Sequence, residues 1–197
     1  MKRLLAFCSF VLICALFVGG AEAALFRGQF IRLHILANSD SAADQGIKLA
    51  LRDALLEEYG ETLFEAGDRE RAEEKLREKL GEIEAFCTAK TAELGAPTAV
   101  SVSYGEEYYD RRVYRSISLP AGRYSSLRIV LGEGKGQNWW CVLFPPLCLG
   151  AASVREEEQA YLDAGFSPET YSVVSNGRSG KYKIRFRLFE WFGKLFS

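Results

Sequence analysis

The hydrophobic period of this chain changes near residue 97, and that change limits the fold more than any other feature of the sequence. Between residues 42 and 94, apolar residues recur every three or four positions, the spacing of amphipathic helices. From Thr98 onward they alternate with polar residues, the spacing of half-buried strands. A Gly-Ala-Pro sequence lies between the two regions and does not continue a helix. The sequence therefore predicts an α+β domain.

Two long helices are predicted before the change in period. The first begins at Ser41, where Asp44 completes a capping-box-like start, and ends near Gly60. The second is capped by Asp68 and extends to Leu94. Their apolar stripes need a surface to cover, so we expect both helices to pack on one face of a sheet.

The sheet is predicted to be antiparallel or mixed. Its first strand, residues 30–37, carries aliphatic residues on one face and Arg32 and His34 on the other. The later strands are joined by short turns, which favours an antiparallel meander. Those strands are predicted at residues 98–104, 113–119, 124–131 and 139–144. A short third helix is predicted to begin at Ser153.

A glycine-rich loop and a tryptophan pair precede the last of these strands. Glycines alternate with charged residues over residues 132–136, which lets the backbone present its N–H and C=O groups to another surface. Trp139 and Trp140 must point to opposite faces of a strand. We predict that the loop contacts a partner, with one tryptophan beside it as an exposed anchor. The alternative is a glycine turn that satisfies its own hydrogen bonds, with both tryptophans buried.

The ends of the chain have compositions unlike that of the domain between them. Residues 1–23 resemble an export signal, with Lys2 and Arg3 before an apolar run and a small-residue site at its end. Cleavage after Ala23 and retention as an amino-terminal anchor are both open. Residues 24–189 are predicted to form a single α+β domain. The aromatic tail, residues 190–197, is expected to dock on the domain, on a partner or at a membrane surface.

Three cysteines follow the export segment. Cys141 and Cys148 flank a Pro-Pro turn that can bring them together, and an exported protein is permitted a disulfide. Two buried thiols are the alternative. Cys87 is predicted to be a core residue.

Composition excludes several classes of function. The chain has 25 basic and 26 acidic residues and a net charge of −1, which does not favour nucleic-acid binding. A single histidine argues against a His-ligated metal, so neither a metal nor a cofactor is predicted. Lys135 is followed by glycine, whereas a Walker loop requires serine or threonine at that position.

Two hydrolase alternatives remain open on residue types alone. Cys141 and His34 supply the elements of a thiol hydrolase acting on peptide, thioester or cell-wall bonds. Glu106, Glu107 and Asp110 supply carboxylates for a glycosidase, but they lie in a Tyr-rich segment for which a solvated turn is the simpler interpretation.

Two segments of the sequence resemble the stage II sporulation protein R family of endospore-forming Firmicutes. One is RLHILANSDS at residues 32–41, followed by a D-Q-x-x-K-L-x-x-R-D pattern at residues 44–53. The other is LPAGRYSSLRIVLGEGKGQNWWCVLFPPLC at residues 119–148.

The resemblance implies a signalling protein that is not an enzyme and takes no small-molecule substrate. It implies export across the forespore membrane into the intermembrane space, where the protein activates a membrane-embedded aspartic protease that processes a mother-cell sigma-factor precursor. The family offers no catalytic residues to transfer. From its motif positions and the loop we predict a set of partner-binding residues: His34, Asn38, Ser39, Asp40, Glu133, Gly134, Lys135, Gly136, Gln137, Asn138, Trp139 and Trp140.

Overall fold

The structure is a computed structural model that describes residues 24–64, 68–114 and 117–145. Beyond these ranges it describes only positions 7, 9–11, 14 and 162. The predictions for the export segment, Cys148, the third helix and the aromatic tail therefore fall outside the described residues, apart from those isolated positions.

A mixed sheet of four strands forms the centre of the described residues. Two further strands pair with each other in a separate two-stranded sheet. In chain order the strands are β1 (Ile31–Leu36), β2 (Val100–Tyr109), β3 (Arg112–Tyr114), β4 (Ile117–Leu119), β5 (Gly122–Leu131) and β6 (Asn138–Phe144). The central order is β2-β5-β1-β6, with β1 parallel to β5 and the other two pairings antiparallel.

The sheet is therefore mixed, which is one of the two forms that we predicted. The predicted antiparallel meander is wrong. β1 lies between β5 and β6, and all six of its residues are buried. A strand buried on both faces belongs in the middle of a sheet, whereas β2 and β6 occupy its edges among the described strands. The strand predicted at residues 113–119 is divided between β3 and β4.

Three helices lie between β1 and β2 in the sequence. They are α1 (Ala42–Phe64), α2 (Arg69–Glu78) and α3 (Leu80–Glu93). α1 contacts β1 and β6, and α3 contacts β2. Within the described residues, none of the helices combines the length and apolar character that a membrane span requires.

Two helix starts and the helix end at Leu94 are as predicted, while the end near Gly60 and the continuity of the second helix are not. Ser41 Oγ accepts a hydrogen bond from Asp44 N at 3.1 Å, and Asp68 Oδ1 caps α2 in the same way. Gly60 does not end α1, because it stays helical and buried. Lys79, at φ −93° and ψ 3°, interrupts the predicted second helix. The expected pair of long helices on one face is therefore not confirmed.

The core lies between the helices and the sheet. Leu51, Leu76 and Ile83 come from the three helices, and Leu33 and Ile129 come from the sheet. Each of these side chains is at most 1% exposed. Cys87 lies in the same core as a free thiol, and burial raises its pKa to about 12.

The opposite side of the sheet carries polar groups in register. Residues that pair directly across strands project to the same face, so the pairings of β1 define a second set of side chains. We call the polar members of this set, together with Trp140, the polar face; they are Arg32, His34, Ser101, Ser103, Glu107, Ser126, Arg128, Asn138 and Trp140. The same register places Leu36, Tyr124, Val130 and Val142 on this side of the sheet.

Candidate functional site

The glycine-rich loop, residues 132–137, is bound to the turn at residues 37–40, and we call this pair of segments the loop clasp. Six successive loop N–H groups donate hydrogen bonds within the chain, as in the 2.9 Å bond from Gly136 N to Ala37 O. The other five run from Gly132 to Ala99 O, Glu133 to Asn38 Oδ1, Gly134 to Leu131 O, Lys135 to Asn38 O and Gln137 to Asp40 Oδ1. The loop is therefore a fixed part of the fold.

The glycines of the loop are required by conformation and by space. Gly132 and Gly134 have φ values of +57° and +62°, which other residues adopt only with strain. Gly136 does not need an unusual φ, but a Cβ atom there would lie 2.2 Å from Ser39 O. Glycine at that position allows the two segments of the loop clasp to touch.

Side chains from the first turns of α1 form hydrogen bonds with the loop clasp. Asp44 accepts hydrogen bonds from Ser39 Oγ and Asn38 Nδ2, and these bonds hold the pKa of its carboxyl below the ordinary value. Lys48 is buried, which lowers its pKa, and its Nζ donates to Gln137 O at 2.8 Å. The D-Q-x-x-K pattern therefore has a structural role in this fold.

These contacts correct the expected role of the loop backbone. Its N–H groups donate hydrogen bonds inside the chain, so the prediction that they are presented to a partner is wrong. The side chains of Glu133, Lys135, Gln137 and Asn138 remain exposed. Glu133 and Lys135 pair with each other at 2.7 Å. Partner binding by these side chains stays a prediction.

The two tryptophans lie on opposite faces of β6, as predicted. The Arg52 guanidinium lies 5.1 Å from the centre of the Trp139 ring. Trp140 stacks on His34 with the ring centres 5.4 Å apart, and the Arg112 guanidinium lies 3.9 Å from the centre of the Trp140 ring. Both indoles are half-buried, which matches neither the exposed anchor that was predicted nor the alternative in which both tryptophans are buried.

His34 connects three strands of the polar face. Its Nδ1 lies 3.0 Å from Glu107 Oε1, and its Nε2 lies 3.1 Å from Asn138 Oδ1. Burial opposes the charge of Glu107, but hydrogen bonds from His34 and Ser126 outweigh burial and lower its pKa to about 2. Glu107 is thus a paired, half-buried carboxylate, and the solvated turn expected around it is wrong.

The sequence carried no clear signal for Glu107. β2 continues through Glu107 to Tyr109, so the strand runs five residues farther than we predicted. The alternation of apolar and polar residues that begins at Val100 ends at Gly105, and Glu-Glu and Tyr-Tyr pairs follow it. His34, the partner of Glu107, is 73 positions away in the chain, and only the register of β1 with β5 brings the two side chains together.

Arg32 is fully buried beneath β3, and no pattern in the sequence indicated this burial. Its Nε donates to Cys141 O at 3.2 Å, and its Nη2 donates to the Tyr114 hydroxyl. The guanidinium also lies 4.1 Å from the ring centre of Tyr109 and 5.0 Å from that of Tyr124. These contacts tie the two-stranded sheet to the polar face, since aromatic rings stabilise a desolvated cation.

The proposed pairing of Cys141 with His34 is wrong. Cys141 pairs across the strands with Leu33, whereas His34 pairs with Trp140, so the thiol and the imidazole project to opposite faces. Cys141 is also disulfide-bonded. Its predicted partner, Cys148, lies outside the described residues, and that pairing stays a prediction. Among the described residues, no three His, Cys, Asp or Glu side chains are grouped to hold a metal ion.

Comparison with known proteins identifies the family to which the chain belongs. The sequence profile of stage II sporulation protein R matches residues 27–154. The chain belongs to the stage II sporulation protein R family. A stage II sporulation protein R from Bacillus subtilis (strain 168) is 35% identical over 184 residues, which cover 86% of this chain and 82% of the relative. That name assigns no enzymatic reaction. No solved structure matches the chain.

In this member of the family, the two segments that carried the resemblance meet in space. Residues 32–53 supply most of β1, one side of the loop clasp and the first half of α1. Residues 119–148 supply β5, the glycine-rich loop and β6, and β1 pairs with both of those strands. A large part of the motif therefore specifies the fold.

All but one of the predicted partner-binding residues fall into two groups. The loop clasp contains Asn38, Ser39, Asp40, Glu133, Gly134, Lys135, Gly136 and Gln137. The polar face contains His34, Asn138 and Trp140, whereas Trp139 lies on the other side of the sheet. The sequence pattern placed Arg32 on the same face as His34, but it did not indicate that Glu107 and Arg128 belong to this second group.

Proposed function

We propose that this chain is an exported sporulation signal that activates a membrane-embedded aspartic protease. The protease then removes the inhibitory pro-segment of a mother-cell sigma-factor precursor. Membership of the stage II sporulation protein R family carries the proposal, because the family profile spans most of the described domain. The chain acts after crossing the forespore membrane, in the space between the two cells.

The described surface is suited to a protein that acts by binding to a receptor. Binding that activates a receptor costs less when the contact surface is already ordered. The loop clasp and the polar face are both fixed by hydrogen bonds within the chain, and both reach solvent through polar side chains. In this proposal the chain contributes a preformed surface and the protease contributes the catalytic groups.

Deleting the gene from the sporulating organism tests this proposal in the cell. We expect the sigma-factor precursor to accumulate uncut on immunoblots while the protease is still present. The whole chain should restore processing, whereas a chain that lacks residues 1–23 and remains in the forespore should not. Normal processing in the deletion strain would contradict the proposal.

A further inference from the structure

The polar face has an excess of positive charge. Arg32 and Arg128 belong to it, and Arg112 of β3 lies over its Trp140. Glu107 is the one carboxylate of the face as defined, so the three arginines leave two positive charges uncompensated there when His34 is counted as neutral. Arg32 is fully buried, so the positive charge that reaches the surface is that of Arg112 and Arg128. The whole chain, in contrast, has a net charge of −1. The face is therefore a local basic surface on a slightly acidic protein.

Two of these arginines are within reach of a partner. The Arg128 side chain is 44% exposed and lies 3.4 Å from Glu107, a carboxylate that His34 already engages at 3.0 Å. Arg112 is half-buried on the ring of Trp140, and no carboxylate of the described residues lies within 4.0 Å of it. A second carboxylate placed on this face would meet guanidinium donors that are already held in position.

The surroundings of the arginines fit a polypeptide better than a lipid surface. Ser103 and Asn138 are exposed beside them and offer hydrogen-bonding groups. The exposed large apolar side chains of the described residues, such as Tyr108 and Val113, do not belong to the polar face. A membrane surface needs apolar side chains to insert as well as basic charge.

We propose that the polar face is the docking surface for an acidic, extended segment of the receptor protease. Carboxylates of that segment pair with Arg128 and Arg112, while Ser103 and Asn138 hydrogen-bond to its backbone or side chains. The inference rests on the proposed function, since it names the surface through which this chain contacts the protease.

Binding of the full chain to the purified protease in detergent micelles tests the inference. In the variant Arg112→Gln/Arg128→Gln, the dissociation constant should rise by about tenfold or more, because charge complementarity at the contact is lost. The control Arg71→Gln/Lys90→Gln removes two positive charges from α2 and α3 and should bind as the original chain does. Salt should weaken the original complex more than that of the polar-face variant.

A second variant distinguishes a loss of binding from a folding defect. Ser103 is exposed and pairs with Arg128 across the strands, so Ser103→Asp places a negative charge on the face with little effect on the core. It should also weaken binding, and circular dichroism should show an unchanged fold. If the polar-face variants bind as the original chain does, the inference is wrong while the proposed function stands. If the original chain neither binds nor activates the protease, the proposed function fails and the inference fails with it.

Discussion

At the scale of single residues, the pair of His34 and Glu107 is the best-defined interaction of the polar face. The two side chains are 11% and 24% exposed, so the pair is only partly screened by solvent. Ser126 and Tyr109 add hydrogen bonds around the same carboxylate. A carboxylate with so many donors is strongly stabilised in its charged form.

The shift in the Glu107 pKa predicts how stability depends on pH. The pKa falls from 4.5 to about 2 on folding, so the unfolded chain takes up a proton before the folded chain does as the pH decreases. The stabilisation is complete above pH 4.5 and is lost as the pH falls through about 2. Between pH 5 and pH 3 this one group should cost about 2 kcal/mol of stability.

Urea unfolding at pH 5 and pH 3 measures this effect. Glu107→Gln should lose less stability between the two pH values than the original chain does, because the amide does not titrate. Glu106→Gln is the matched control, since Glu106 is exposed on the same strand. An equal loss in the original chain and in Glu107→Gln would show that the carboxylate is not held as described.

At the scale of elements, the loop clasp is the contact that the glycine pattern serves. Gly136→Ala should destabilise the protein by about 1–3 kcal/mol, because the new Cβ would meet the backbone of Ser39 and one segment would have to move. Gly105→Ala is the control: a Cβ at Gly105 would meet nothing within 4 Å. Thermal or urea unfolding compares the two variants. Equal stabilities would mean that the loop and the turn do not touch as closely as described.

The elements also show which parts of the fold could be predicted from the sequence. Local signals identified β1, the Asp68 cap and the opposite orientations of Trp139 and Trp140, because each depends on residues a few positions apart. The interruption at Lys79 could not be predicted in the same way. The helical pattern continues through it, and only the weak helix former Gly81 lies nearby.

Strand order and the polar face depend on distant pairings. Short connections favoured a meander, yet the burial of β1 on both faces placed it between β5 and β6. That insertion brings Glu107 to His34 and separates His34 from Cys141. Periodicity showed that Arg32 and His34 share a face, but it could not show what lies opposite them.

At the scale of the whole molecule, one sheet holds both segments that resemble the family. The loop clasp closes one end of this sheet, and the polar face leaves Arg128, Ser103 and Asn138 in contact with solvent. The described structure therefore separates residues that maintain the fold from residues that are free to meet a partner. Signalling by contact requires both groups, whereas hydrolysis by Cys141 and His34 would require a geometry that the sheet does not provide.

Reconstitution with purified components tests the central claim most directly. The membrane-embedded aspartic protease and the sigma-factor precursor are placed together in vesicles, this chain is added outside the compartment that holds the precursor, and the cleaved product is quantified over time. The account predicts that cleavage depends on the chain, saturates with its concentration and disappears when the catalytic aspartates of the protease are replaced. Cleavage that is equally fast without the chain, or that persists with the inactive protease, would contradict the account.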